Sequence, residues 1–162
     1  MALPNRLAPA AYLVAFALVA IPVFDASMTA FPPHIHDARW RFGAVGLISN
    51  AVLFPALGSL IAIATASVLG HARTQRILGV LAFLVALACL GGLGTFTLDA
   101  LQTRAAVRPE LHLSYAVAST TAGVKLLVAM LTFCALGFAG VRGPAWARPK
   151  QRAPKVLVKG AA

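Results

Sequence analysis

The run SYAVASTTAGVKLLVAMLTFCALGFAGV, residues 114–141, decides how this chain is read, because its only charged residue is Lys125, near the middle. A bilayer core of roughly 30 Å is crossed by about 20 helical residues, so the run is long enough to span it. A charge at such a depth costs at least about 2.5–3.5 kcal/mol on insertion scales. Lys125 therefore needs a partner or a wet cavity.

Three further apolar stretches precede this one, at 7–24, 42–70 and 77–98. With 60% hydrophobic and 11% charged residues, and a mean hydropathy of +0.84, the chain is too apolar for a soluble globular domain. The sequence predicts an all-α integral membrane bundle of four transmembrane helices, at about 8–30, 42–69, 76–103 and 113–141. Short loops imply an up-and-down arrangement in one domain, residues 1–141. Residues 142–162, basic and proline-containing without an acid, read as a disordered cytoplasmic tail.

A net charge of +10 would suit nucleic acid, but the basic residues are spread over loops and tail, so no nucleic-acid role is expected. Topology accounts for them better. With a cytoplasmic N-terminus, that side holds Arg6, Arg73, Arg76, Arg142, Arg148, Lys150, Arg152, Lys155 and Lys159, while the other holds Arg39, Arg41, Arg104 and Arg108. The positive-inside rule then places a multi-pass protein in the cell membrane with both termini cytoplasmic. Arg142, Arg148, Lys150, Arg152, Lys155 and Lys159 form a polybasic segment suited to anionic lipid or a partner. Residues 25–30 lack a clean small-x-small cleavage site, so the first stretch is read as a retained helix.

Local chemistry refines the picture. Pro55 deprives the second helix of one backbone bond and predicts a bend about a third of the way along it. Gly43, Gly46, Gly58, Ser59 and Ala62 allow a neighbouring backbone close approach. Trp40 and Phe42, flanked by Arg39 and Arg41, read as an interfacial anchor. The Gly91-Gly92-Leu93-Gly94 cluster costs helix stability unless close packing offsets it.

All four acids, Asp25, Asp37, Asp99 and Glu110, fall on the side opposite the tail. At about 1.5 Å of rise per residue, the Lys125 backbone lies about 16 Å below that surface. Its side chain leans toward the helix N-terminus and brings the ammonium to about 10 Å. The same rise puts Asp99 at about 7–8 Å and Asp25 at about 9 Å. The expected site is thus an intramembrane polar cluster in which Lys125 pairs with Asp99 or Asp25, assisted by Asn50, Thr95, Gln102 and Thr121.

A lesser metal candidate is His34-x-His36-Asp37 with His112 or Glu110, ligands that zinc or copper accepts. The favoured alternative is a set of surface histidines. Cys89 and Cys134 have no CxxC or Cys/His spacing and read as small core residues. No histidine lies inside a helix where haem would need it, and no nucleophile has an activating base at helical spacing, so neither a cofactor nor catalysis is expected. The expected function is that of a non-catalytic accessory, assembly or stabilising subunit of a larger membrane complex. Its partners would be the lipid bilayer, other membrane subunits or further copies of itself. The alternative is a small carrier or ligand- or proton-binding protein with an outward-facing polar cavity around Lys125, Asp99 and Asp25.

Overall fold

In the computed structural model, which describes residues 3–143, every regular element is helical. The order is α1 (Leu3–Thr29), α2 (Ala38–Ala51), α3 (Leu53–Val68), α4 (Ala72–Arg104), a single 3-10 turn (Pro109–Leu111) and α5 (His112–Arg142). Three helices, α1, α4 and α5, are long and apolar enough to cross a membrane. A fourth crossing is available if α2 and α3, bent by 44° at their junction, count as one. Residues 144–162, including Arg148, Lys150, Arg152, Lys155 and Lys159, lie outside the described residues.

The junction has a local cause. Pro55 has no N–H to give the carbonyl of Ala51, while Val52 N still donates to Ile48 O at 3.1 Å and Ala56 N to Val52 O at 3.2 Å. One missing rung lets the axis turn at Val52. The other boundaries follow ordinary capping. Asp37 starts α2 with its carboxylate accepting from Arg39 N at 2.8 Å, and Gly70, at φ +71°, ends α3 in the left-handed geometry that favours glycine. This cap starts the helix at Ala38 rather than near residue 42, so Arg41 belongs to a helical turn and not to a loop.

Side-chain contacts sort the chain's reversals into two ends. At one, Trp40 Nε1 donates to Ala30 O at 3.2 Å and the Tyr115 hydroxyl to Ala100 O at 2.8 Å. At the other, the Tyr12 hydroxyl lies 3.3 Å from His71 Nδ1, and Gln75 Nε2 donates to Ala139 O at 3.2 Å. Trp40 and Phe42 are both half-buried, and Phe42 stacks with Phe96 and with Tyr115, ring centroids 4.8 and 5.3 Å away.

The helices meet where side chains are smallest. A Cβ on Gly140 would lie 2.5 Å from the Gly79 Cα, so α4 and α5 touch backbone to backbone. Between them Phe133 and Leu136 pack with Ala82, Ala86 and Ile63. Gly58 plays the same part between α3 and α1, where an added Cβ would lie 2.6 Å from Ala15 O. Gly91, Gly92 and Gly94 instead face open space. Much of the outward surface is apolar, with Leu13, Phe16, Leu87, Leu98, Leu113 and Leu131 exposed, which makes it compatible with lipid contact.

These two glycine environments predict opposite outcomes. Gly140→Val drives methyl groups into Gly79 and should cost about 1–3 kcal/mol. Gly91→Ala meets nothing within 4 Å and should be neutral or stabilising by up to about 1 kcal/mol. Thermal unfolding in detergent, followed by circular dichroism, should show a lower midpoint for the first and no fall for the second.

Candidate functional site

The most constrained polar contact joins the start of α2 to the end of α4. Arg41 Nε donates to Asp99 Oδ2 at 2.9 Å and Nη2 to Asp99 Oδ1 at 2.6 Å, a bidentate fork that occupies both carboxylate oxygens. The third nitrogen, Nη1, donates to Ile35 O at 2.8 Å and ties down the loop before α2. The Asp99 side chain is only 3% exposed and the Arg41 side chain 34%. The aromatic stack of Phe42, Phe96 and Tyr115 lies on the same two helix ends and α5.

This contact divides the cluster expected from the sequence. Lys125 pairs with neither Asp99 nor Asp25; its Nζ donates to Asn50 Oδ1 at 2.6 Å. The reason for Asp99 is that Arg41 reaches it first and fits both its oxygens, which a single ammonium cannot match. Asn50 is therefore a true partner of Lys125, but a neutral one.

Two hollows flank Asn50. The first, about 360 Å³, lies between α2 and α5 and is lined by Gly43, Gly46, Asn50, Ala118, Thr121 and Lys125, with Phe42 and Phe96 closing one wall. The second, about 780 Å³, lies between α1 and the α2–α3 bend and is lined by Ile21, Pro22, Asp25, Leu47, Asn50 and Phe54. Asp25 is exposed there and makes no ion pair within 4.0 Å among the described residues. Thr121 thus joins Lys125 in one hollow, and Asp25 stands in the other.

The remaining expected members sit apart. Thr95 folds its hydroxyl back onto the carbonyls of Gly91 and Gly92 at 3.2 and 3.1 Å, a bond within its own helix. Gln102 is exposed and lines neither hollow.

The metal candidate does not assemble. Among the described residues no three of His, Cys, Asp and Glu come together. His34 Nδ1 donates to Pro32 O and His112 Nε2 to Val107 O, each at 2.9 Å, while Asp37 is occupied as the cap of α2. His34, His36 and Asp37 share the loop before α2, whereas His112 stands at the start of α5. Of the tail residues only Arg142 is described, with its guanidinium 5.3 Å from the Phe138 ring centroid.

No known family model, curated protein or solved structure matches this chain.

Removing Arg41 strands a buried carboxylate, whereas removing both partners does not. Arg41→Ala should lower stability by about 3–5 kcal/mol, and Arg41→Met combined with Asp99→Leu should recover most of it. A double-mutant cycle of Arg41→Met and Asp99→Leu, singly and together, on the detergent-solubilised protein measures this coupling; additive losses would show that the pair carries no net interaction.

Proposed function

We propose that this chain is a small, non-catalytic, four-span membrane protein of the cell membrane, both termini cytoplasmic, that acts as an accessory, assembly or stabilising subunit. The observation that carries this reading is Lys125. It is exposed partway along an apolar helix, bordered by small residues, and its one hydrogen-bond partner among the described residues is a neutral amide. A cation in an apolar setting that its own chain leaves without a carboxylate suits an assembly contact, in which another chain supplies the counter-charge. The open faces of Gly43 and Gly46 add to this, since an approaching helix can come close to a backbone without side chains. The basic segment that begins at Arg142 supplies a second contact, with anionic lipid.

The carrier reading draws less support from the geometry. The hollow at Lys125 has neither Asp99 nor Asp25 in its lining, so the expected proton- or ligand-handling carboxylates are not assembled around the lysine.

Size measurement in a mild detergent tests the subunit reading. The wild-type protein should run larger than one chain in its micelle, alone or with another membrane protein. Lys125→Met should keep its helical content and fall to the size of one chain. A wild-type chain that is a stable monomer without any co-purifying protein would remove the proposal.

A further inference from the structure

We infer that the partner at the Lys125 hollow is a second copy of this chain, in a parallel two-fold dimer where Lys125 of each copy pairs with Asp25 of the other. This rests on the assembly reading above and names its partner. It arises from charges that the fold leaves over.

The fold neutralises one pair internally, Arg41 with Asp99, and a second pair, Arg108 with Glu110, lies at 3.6 Å in an exposed loop. The lining of the two hollows at Asn50 holds two opposite charges without an ion pair among the described residues: Lys125 on α5 and Asp25 on α1. Both are exposed.

Asn50 fixes their relative placement. It lines both hollows, so the two open on either flank of α2, the cation in one and the anion in the other, at the level of the same residue. Viewed down the helices, α2 is a ridge with a negative hollow on one side and a positive hollow on the other. Rotating a second copy by 180° about an axis parallel to that ridge brings its negative hollow against the positive one, and its positive hollow against the negative one. One surface satisfies itself twice, as an isologous interface requires. An antiparallel two-fold would set like charges against each other, whereas the parallel one sets opposite charges together, and copies inserted in one orientation are parallel.

The ridge is shaped for such an approach. On its Lys125 flank, Gly43 and Gly46 have nothing within 4 Å of an added Cβ. On its Asp25 flank, Leu47 and Phe54 are 41% and 50% exposed, large apolar groups that a second copy would cover. Close backbone approach and apolar cover together favour a neighbouring helix over a small anion in the hollow. An anionic lipid headgroup would answer Lys125 but leave Asp25 unmatched.

The test exploits the reciprocity. Asp25→Lys and Lys125→Asp are made in separate, differently tagged copies, and association is read by co-purification in mild detergent and by energy transfer in liposomes. Wild-type copies should associate. Each variant alone should lose association by at least about tenfold, because every cross pair becomes like-charged. The two variants mixed should associate again, since the two lysines of the first variant then face the two aspartates of the second. Unchanged self-association of both variants, or failure of the mixture to recover, would overturn the inference, and recovery only when both changes share one chain would show an intrachain pair.

If either charge reversal fails to fold, Asp25→Cys and Lys125→Cys in separate copies, each with Cys89→Ala and Cys134→Ala, serve instead. A mixed disulfide on mild oxidation is expected, and its absence overturns the dimer. A wild-type chain that binds another membrane protein but not itself leaves the assembly reading standing and removes this one. A chain that binds neither removes both.

Discussion

The bidentate contact between Arg41 and Asp99 is the constraint on which the polar architecture depends. Asp99 is almost wholly enclosed, so its charge is tolerable only with a cation held in place. Arg41 meets that need with a planar fork that stays charged in any environment the protein meets. Its third donor holds Ile35 O, so one side chain fixes the start of α2, the end of α4 and the loop between α1 and α2. Phe42, the next residue, is thereby set between Phe96 and Tyr115, which adds α5 to the same end. The consequence reaches further than the contact itself: with Asp99 saturated, Lys125 is left to a neutral amide.

The second determinant is the break at Val52. A straight helix from Ala38 to Val68 would present one continuous stripe, whereas the bend of 44° turns α3 toward α1 through Gly58. It leaves Asn50, two residues before the break, between the hollow that α1 borders and the one that α5 borders. Proline chemistry thus positions the polar residue that the lysine finds. A backbone effect sets a side-chain site.

Much of this was legible in the sequence, and what was not had definite reasons. Length and hydropathy gave the all-helical character, because apolar runs of spanning length admit few alternatives. The bend could be read from Pro55, since a missing N–H acts locally. The pairing of charges could not, because depth along a helix is legible from rise per residue whereas facing direction is set by packing. Lys125 lay at a depth from which Asp99 and Asp25 were both within reach, while Arg41 read as part of the outer loop. What decided the pairing was the start of α2, and the signal was present: Asp37 as a cap moves Arg41 from a loop into the first helical turn, facing α4. The glycines show the same limit. Gly79, Gly137 and Gly140 make the close contacts, while the denser cluster at Gly91, Gly92 and Gly94 does not, since composition does not say which stripe faces a neighbour.

The arrangement of charge also bears on why a lysine stands beside Asn50 at all. If Lys125 only joined α5 to α2, a neutral donor would make the same bond to the amide without carrying an ammonium into an apolar setting. The cost of the charge therefore argues for a role that a neutral donor cannot fill. Asp25, an opposite charge without an ion pair among the described residues, stands in the other hollow that Asn50 borders, on a helix that packs chiefly against α3. Asn50 thus separates the two in one chain while bordering both. A side chain with both a carbonyl and an amino group can accept from a lysine and donate to a carboxylate, so it is suited to the middle of a cation–amide–carboxylate row. In a single chain the row lacks a close second ion pair; in a pair of chains related by a two-fold axis it is completed twice, with no charge left over.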